Sequence, residues 1–241
     1  MQFKVLSWNI WGGYFIDLPG VVKLLQKEKP DIIGLQEVKE NGVNQAKQIA
    51  DKLGLNLHDF RAFTTDRHKS VYSLGNSILA KFPITKKESI FLTDLSYYKQ
   101  NWETEPRGLV KTSINIKGKV LTILTLHLAY SKDFQPSEMR KKQLNTLLKH
   151  LTSKATILMG DFNSLPNSAE IKLIEKKLKN SDPKAKEKTW KARSRENPKV
   201  KLNPKYRIDY IFVSPDIKVS DFKVIKDYSS DHFPIMATIQ I

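Results

Sequence analysis

Short apolar runs rich in β-branched residues recur along the whole chain, and they constrain its fold more than any other feature. Runs of this kind, bounded by turn residues, are typical of β-strands. They predict strands at 3–10, 31–36, 77–81, 109–116, 120–128, 156–159, 208–213, 219–224 and 235–241. Apolar residues at helical spacing predict helices at 18–27, 43–53 and 137–151, the first with Val21, Val22, Leu24 and Leu25 facing inward.

Proline and glycine mark the boundaries of several elements. Pro30 ends the first helix, and Gly54 stops the second in the C-cap role. Lys117-Gly118-Lys119 joins two neighbouring strands as a hairpin turn. Because no internal repeat or low-complexity linker interrupts the pattern, we expect one α+β domain over residues 1–241.

The charge balance bounds the partners of the protein. The chain has 41 Lys and Arg against 25 Asp and Glu, a formal net charge of +16. Such a field attracts polyanions, which include nucleic acid, anionic membrane surfaces and phosphorylated small molecules. A lysine-rich surface that is merely solvated would have the same composition. There is no cysteine, so disulfides and thiolate metal sites are excluded.

The N-terminal residues do not have the pattern of a secretion signal. Residues 1–9 alternate as a strand does, without an apolar core segment or a small-residue cleavage site. No stretch approaches the roughly 20 apolar residues of a membrane-spanning helix. We therefore expect a cytoplasmic protein without stable membrane association. A monomer is the default expectation, since no sequence feature bears on oligomeric state.

Polar side chains occupy the ends of several predicted strands. They are Asn9, Glu37, His127, Asp161, Asn163, Asp209, Asp231 and His232. Singly, most have ordinary explanations: Asp161 and Asn163 could form a turn, and Glu37 could begin a helix. Asp209 and His127 are harder to explain in this way, because burying a polar group inside an apolar strand is costly without a partner.

Eight short motifs follow one another along the chain. They are Trp8-Asn9, Leu35-Gln36-Glu37, Gly75-Asn76-Ser77-Ile78-Leu79, Pro106-Arg107-Gly108, His127-Leu128, Gly160-Asp161-Phe162-Asn163, Arg207-Ile208-Asp209-Tyr210-Ile211 and Ser230-Asp231-His232. In this order they resemble the motifs of the endonuclease/exonuclease/phosphatase (deoxyribonuclease I-like) superfamily. Each motif is weak alone, but together they extend over residues 8–234. The resemblance implies an α+β fold, a four-layer α/β/β/α sandwich with its active site at the sheet edges.

The resemblance also implies a divalent metal, Mg²⁺ or Mn²⁺. Carboxylate and carbonyl oxygens suit these hard ions, which polarise a phosphoryl oxygen. Glu37 is the first choice of ligand, with Asn9 and Asp231 at or next to the metal, and Asn9 could also contact the substrate phosphate. Trp11-Gly12-Gly13 lacks the additional acid of some relatives, which favours one metal.

The family's catalytic roles carry over to four further residues. Asp161 would orient or deprotonate the attacking water, and Asn163 would hydrogen-bond the charge that develops on phosphorus. His232 with Asp209 resembles the family's His-Asp pair. In that pair the carboxylate fixes the tautomer and raises the imidazole pKa, so that His232 binds a phosphate oxygen or exchanges a proton.

Three further residues are expected to contact the substrate phosphate. Arg107 resembles a phosphate-contacting arginine, and His127 a second imidazole for phosphate binding or general-acid help. Asn76 could reach the phosphate or cap a turn. His127 stands where exonuclease III-type abasic-site endonucleases have tyrosine, which argues against that branch, and the segment 75–84 is similar to the sphingomyelinase and tyrosyl-phosphodiesterase branches.

The stretch 179–207 combines many cations with Trp190 and Tyr206. That mixture is typical of single-stranded nucleic-acid binding, although a solvated loop would have the same composition. Arg140-Lys141-Lys142 is interpreted as a solvated helix face, and His58 is assigned no role.

Three functions follow from the sequence. The first is a metal-dependent nuclease or DNA-end-processing (repair) enzyme, with DNA the favoured partner. The second is a phosphoesterase acting on a lipid headgroup, as sphingomyelinases do, or on a small phosphorylated metabolite. The third is a nucleic-acid-binding module that has lost its chemistry. Metal-dependent turnover would exclude the third, and a steep fall of affinity with salt would favour the first over the second.

Overall fold

Thirteen strands and four α-helices are present in the part of the chain that the computed structural model describes, residues 1–11, 17–66, 70–99, 101–191, 194 and 200–241. The strands are β1 (Gln2–Asn9), β2 (Ile32–Asn41), β3 (Val43–Asn44), β4 (Asn56–Thr65), β5 (Tyr72–Ala80), β6 (Ile84–Phe91), β7 (Gly108–Ile116), β8 (Lys119–His127), β9 (Thr156–Asp161), β10 (Lys179–Asn180), β11 (Asp209–Val213), β12 (Lys218–Val224) and β13 (Ile235–Gln240). The helices are α1 (Leu18–Glu28), α2 (Gln45–Leu53), α3 (Glu138–His150) and α4 (Ala169–Glu175).

The strands form two mixed sheets. The first has the order β12-β13-β1-β2-β5-β4, with β3 also paired to β2, and the second has the order β10-β11-β9-β8-β7-β6. Inside each sheet one pair is parallel, β1 with β2 and β8 with β9. The carboxyl ends of a parallel pair lie at the same sheet edge, so these pairs bring the ends of four strands to two neighbouring edges.

Three apolar layers hold the sheets and helices together. The faces that the sheets turn toward each other meet in one core, which includes Val5, Ile32, Ile78, Val110, Ile123 and Ile211. The outer face of the first sheet packs on α1 and α2, and the outer face of the second sheet includes residues that pack with α3 and α4. Period-two alternation explains this arrangement, since Val5 faces the central core while Leu6 faces the helices. The predicted α/β/β/α sandwich is confirmed.

The helix ends follow the local sequence. The Asp17 side chain accepts a hydrogen bond from Gly20 N at the start of α1, and Asn44 does the same for Lys47 N at the start of α2. The second helix therefore begins two residues later than predicted, because Asn44 is its cap and pairs with β2. Gly54 ends that helix in the left-handed conformation, with φ 64°, as predicted from the sequence.

Four strands in the described residues were not predicted from the sequence: β3 and β10 have only two residues each, and β4 and β6 are unusually polar. β4 carries His58, Asp59 and Arg61, and β6 carries Lys86 and Lys87 at the edge of the second sheet. Edge strands often expose charged residues, which discourage pairing with other chains.

The interpretation of residues 140–142 as a solvated face is wrong for Arg140. Arg140 is fully buried, whereas Lys141 and Lys142 are exposed. Arg140 lies on the same face of α3 as the buried Gln143, Leu144 and Leu147.

Some predicted features lie outside the described residues. They are Gly12 and Gly13, on which the one-metal expectation partly rests, and Arg193, Arg195 and Lys199 of the basic stretch. The described part of that stretch contains β10 and isolated β-bridges from Trp190 to Tyr206 and to His232. None of the helices in the described ranges is sufficiently long and apolar to span a membrane.

Candidate active site

Asp161 lies at the centre of a polar cluster at one edge of the second sheet. It ends β9, and in the ladder it stands opposite His127 of β8 on one side and Asp209 of β11 on the other. Asp161 is almost fully buried, as are its two neighbours. The predicted convergence of these residues is therefore what the register of three adjacent strands produces.

Asn9 connects this cluster to the first sheet. Its Nδ2 donates to Glu37 Oε1 and to Asp161 Oδ2, both at 3.0 Å. Its Oδ1 accepts from Trp11 N at 2.9 Å. One amide thus links a carboxylate of each sheet. The expectation that Asn9 lies at or next to the metal stays a prediction.

Glu37 does not end its strand, contrary to the prediction. β2 continues to Asn41, and Glu37 lies in an irregularity of the pairing between Leu35 and Val38, with φ 53°. A bulge redirects a side chain relative to regular pleating. The preceding Gln36 is buried between the sheets and donates to Thr125 Oγ1 at 2.8 Å. Glu37 is the more open carboxylate, with 18% of its side chain exposed against 2% for Asp161.

His232 and Asp209 form the predicted pair. His232 Nδ1 lies 3.0 Å from Asp209 Oδ2, and both residues are buried. Burial alone would lower the pKa of His232, but the charge and hydrogen bond of the Asp209 carboxylate outweigh it and raise the pKa to about 10. The Nε2 atom faces Asp161 Oδ2 at 3.7 Å and Asp231 Oδ1 at 3.9 Å. In the absence of a metal, His232 is therefore a cation at neutral pH.

For Asp161, the surroundings favour the uncharged form. Burial, followed by the negative charge of Asp209, raises the pKa of Asp161 to about 7. His232, the Asn163 backbone N–H and the Asn9 amide oppose this rise by stabilising the ionised form. A carboxyl group whose pKa lies near neutrality is suited to accept a proton from water.

Asn163 and His127 complete the second-sheet side of the site. Asn163 has a left-handed backbone, with φ 46°, and its N–H donates to Asp161 Oδ1 at 2.9 Å. Its Nδ2 donates to Leu128 O and lies 2.9 Å from His127 Nε2. His127 Nε2 is in turn 3.4 Å from Asp161 Oδ2.

Arg107 contacts the other side of the His127 ring. Its Nη1 lies 3.1 Å from His127 Nδ1, and its Nη2 lies 3.2 Å from Glu105 Oε2. Its buried Nε has no hydrogen-bond partner among the described residues. Asn76 donates to Gly108 O at 2.7 Å, so in this structure it holds the backbone next to Arg107. Its predicted contact with phosphate stays a prediction.

The cluster fits a divalent cation by the chemistry of its donors. One potential ligand atom from each of Asp161, Asp209 and His232 lies within 4.8 Å of the others. This group does not include the expected ligands Glu37, Asn9 and Asp231, whose role at the metal stays a prediction. Hard ions such as Mg²⁺ and Mn²⁺ prefer oxygen ligands of this type. Asn9 turns its NH₂ group toward Glu37 and Asp161, so as placed here it orients these carboxylates.

An aromatic group next to His232 was only partly foreseen. Trp190 Nε1 donates to Asp231 Oδ2 at 3.3 Å, and its ring lies 6.3 Å from the His232 ring. Tyr206, Tyr130 and Phe134 pack around the indole, with ring centroids 5.8, 6.4 and 5.5 Å from it. These four residues, called the aromatic wall below, include two that the sequence analysis missed. Tyr130 and Phe134 follow His127 closely in the chain, but no motif marks them.

Serine 230 is a further residue that the sequence analysis did not single out as a contributor. Ser230 Oγ donates to Asn9 O at 2.7 Å and accepts from His232 N at 3.2 Å. Trp8 Nε1 donates to His232 O at 3.0 Å from the first sheet. These bonds fix the segment that carries Asp231 and His232 against β1.

The fold and this cluster together define a phosphoesterase, and comparison with known proteins agrees. A model of the endonuclease/exonuclease/phosphatase family matches residues 6–232, so the chain belongs to this family and is a phosphoric ester hydrolase. No curated protein matches its sequence significantly.

Solved structures with the same fold come from different kinds of organism. The endonuclease/exonuclease/phosphatase of Beutenbergia cavernae has a TM-score of 0.81 at 19% identity, over 100% of this chain and 72% of that one. The mannosyl-6-phosphatase of Bacteroides thetaiotaomicron has 0.74 at 20%, over 99% and 100%. The catalytic domain of human Nocturnin, solved with bound sulfate, has 0.76 at 18%, over 99% and 93%. At these identities the similarity establishes the fold.

Proposed function

We propose that this protein is a divalent-metal-dependent nuclease or DNA-end-processing phosphodiesterase, with DNA its favoured substrate. The observation that carries the proposal is the aromatic wall beside His232. Its Trp190 and Tyr206 are only half-buried, and Lys191 Nζ lies 5.1 Å from the centre of the indole ring. Aromatic faces combined with cations bind nucleic acid by base stacking and phosphate contacts. The net charge of +16 supports the same class of partner.

The hydrolysis follows from the positions of the polar groups. A bound Mg²⁺ or Mn²⁺, held by Glu37 with Asp231 and Asn9 nearby, would neutralise phosphate charge and polarise a phosphoryl oxygen. Asp161 accepts a proton from the attacking water, whose oxygen forms the new bond to phosphorus as the ester P–O bond breaks. The hydrogen bonds from Asn9 and Asn163 hold this carboxylate in place.

Cationic and neutral donors surround the position of the phosphate. His232 presents Nε2 toward Asp161 and Asp231, where its positive charge binds a phosphate oxygen or supplies the proton that the leaving oxygen needs. Arg107 keeps one buried N–H that bonds to no group in the described part of the chain, and a phosphate oxygen would satisfy it. His127 lies between Arg107 and Asn163 and contributes a further phosphate contact.

A phosphoesterase of small phosphorylated metabolites is the second candidate. One structure with the same fold over 99% of this chain is named a mannosyl-6-phosphatase. The same polar cluster would serve that reaction, and a lipid headgroup belongs to the same alternative. A cytoplasmic monomer is part of the leading proposal and follows from the sequence expectations alone.

Cleavage assays with purified protein test the proposal. The substrates are end-labelled single- and double-stranded DNA, abasic DNA, 5′-tyrosyl DNA, RNA, sphingomyelin and a hexose 6-phosphate, each with Mg²⁺, Mn²⁺ or EDTA. We expect metal-dependent cutting of DNA that is lost in Asp161→Asn and in His232→Ala. Asp51→Asn, which alters an exposed carboxylate on α2, serves as the matched control. Turnover of only the lipid or the sugar phosphate would contradict the nuclease proposal, and wild-type turnover by Asp161→Asn would contradict the assigned roles.

A further inference from the structure

The segment after His127 is held by a buried arginine that belongs to none of the motifs. The Arg140 side chain on α3 is 1% exposed, and its Nε donates to Glu170 Oε1 of α4 at 2.9 Å. Its two remaining nitrogens turn to the 129–135 segment, with Nη1 donating to Ser131 Oγ at 2.8 Å and Nη2 to Gln135 O at 2.6 Å. The planar guanidinium therefore joins two helices to one turn.

That turn has an unfavourable backbone. Asp133 and Phe134 are consecutive non-glycine residues in the left-handed region, with φ 52° and 56°. Residues keep such conformations only where their surroundings hold them, and they concentrate at functional sites. Arg140 Nη2 also lies 3.3 Å from Phe134 O, so the guanidinium holds the carbonyls of two consecutive residues, Phe134 and Gln135.

The turn places Phe134 beneath the active-site aromatics. Phe134 is buried, and its ring centroid lies 4.9 Å from that of Tyr206 and 5.5 Å from that of Trp190. Trp190 in turn contacts Asp231 and the His232 ring. A continuous set of packed groups thus connects Arg140 to the site.

We propose that Arg140 is a positioning residue for substrate binding: by holding the 131–135 turn it presents Phe134 as the support that orients the Trp190–Tyr206 face beside His232. The orientation of the aromatic wall follows from the contacts described above, whereas the effect on nucleic-acid binding rests on the proposed function. A purely structural ion pair between Arg140 and Glu170 would stabilise the fold without any specific effect on Trp190.

The first test observes Trp190 directly and needs no substrate. The protein is labelled with 5-fluorotryptophan, and the ¹⁹F signal of Trp190 is assigned with Trp190→Phe among the 4 tryptophans of the chain. Arg140→Lys keeps a cation for Glu170 but loses the fork that binds Ser131 and Gln135 together. We expect it to shift or broaden the Trp190 signal.

Leu147→Ala is the matched control. Leu147 is buried on the same face of α3, in the apolar layer between that helix and the second sheet. Its truncation to alanine leaves a cavity, which lowers the stability of the fold. We expect it to lower the melting temperature and leave the Trp190 signal unchanged. If Leu147→Ala moves the signal as much as Arg140→Lys does, or if Arg140→Lys leaves it in place, the proposal is wrong.

The second test measures steady-state cleavage of a short single-stranded DNA. We expect Arg140→Lys to raise KM about tenfold, the order of one lost stacking contact. The value of kcat should change by less than about twofold, because the reacting groups are untouched. Phe134→Leu should raise KM and spare kcat in the same way, and it replaces Arg140→Lys in this test if that variant does not fold. Equal losses of kcat and kcat/KM would contradict positioning through the aromatic wall.

The two tests distinguish failure of the positioning role from failure of the proposed function. If the wild-type protein cuts no nucleic acid, the proposed function fails, and the ¹⁹F experiment still decides whether Arg140 orients the indole. If DNA is cut but neither variant changes KM or the Trp190 signal, the proposed function stands and the positioning role is refuted.

Discussion

Replacing Asp161 by asparagine should stabilise the metal-free protein while abolishing its activity. In the folded state burial and the Asp209 charge raise the pKa of Asp161 from 3.8 to about 7. Each tenfold change in this equilibrium corresponds to about 1.4 kcal/mol, so the ionised carboxylate destabilises the folded state by at most about 4 kcal/mol. Asparagine is uncharged and escapes this penalty.

The sign of the effect depends on pH in a defined way. Near pH 3 the carboxyl group is protonated in both states and contributes no difference. As pH rises through the interval from about 4 to 7, the unfolded chain releases the proton first, so the free energy of unfolding of the wild type falls. Above about pH 7 both states are ionised and the penalty is constant. The advantage of the variant therefore grows across this interval and then levels off.

Part of the advantage is offset by a lost hydrogen bond. Asn9 Nδ2 donates to Asp161 Oδ2, and an asparagine NH₂ group at that position cannot accept it. With about 1–2 kcal/mol subtracted for this bond, we expect a net gain of about 2 kcal/mol near pH 8.

Urea denaturation in EDTA, followed by circular dichroism between about pH 4 and pH 8, measures the difference. Asp51→Asn removes an exposed carboxylate paired with Lys47 and should show no such pH-dependent gain. The reasoning is refuted if Asp161→Asn is less stable than the wild type near pH 8, or if the difference between them is the same at every pH.

Three further predictions concern other groups. Burial, followed by the charge of Lys87, lowers the pKa of His58. The free energy of unfolding of the wild type should therefore fall as pH falls from about 7 to 5, and that of His58→Asn should fall less. If denaturation at the two pH values shows the same fall for both proteins, the prediction is wrong. Asp209→Asn should lower the pKa of His232 from about 10, measured by NMR of the imidazole, and should reduce kcat on the order of 10²-fold. If the titration of His232 is unchanged, Asp209 is not the cause of its raised pKa. Glu37→Gln should raise the Mg²⁺ concentration for half-maximal turnover about tenfold or more without lowering the melting temperature, and an unchanged midpoint would remove Glu37 from the metal site.

The central part of the site was accessible from sequence because its residues end regular strands. His127 and Asp161 lie in or directly after two apolar runs of strong β pattern, which marked them as candidates. The parallel register that sets them side by side was found only in the structure. Glu37 was identified as a residue but misplaced, because a bulge inside β2 leaves no mark in a run of apolar and polar letters.

Arg140 illustrates what a short motif search overlooks. Its position relative to Gln143, Leu144 and Leu147 follows the i, i+3, i+4, i+7 spacing of one helix face, and that spacing indicates burial. The burial of Arg140 was not predicted, because Lys141 and Lys142 follow it directly and three adjacent cations are typical of a solvated face. Its partner Glu170 lies 30 residues away on another helix, so the pair depends on the packing of α3 near α4.

His58 and the aromatic wall depended still more on tertiary structure. His58 Nδ1 lies 2.8 Å from Thr112 Oγ1 across the gap between the sheets, a contact that no local pattern specifies. Phe134 and Trp190 come from segments more than 50 residues apart, and their contact depends on a turn with two left-handed residues. Helix and strand periodicity carry no information about such turns.

The order in which the chain supplies its two sheets matters while the protein is being made. The second sheet comes from one continuous stretch, from β6 through β11, whereas the first sheet takes β1 to β5 from before that stretch and β12 and β13 from after it. On the ribosome, β1 therefore pairs with its antiparallel neighbour β13 only after every strand of the second sheet has been synthesised. Asp231 and His232 immediately precede β13, so an unfinished chain holds Asp209 without its imidazole partner. The groups that the second sheet contributes to the site, Asp161 and Asp209, are therefore synthesised before the imidazole that completes it.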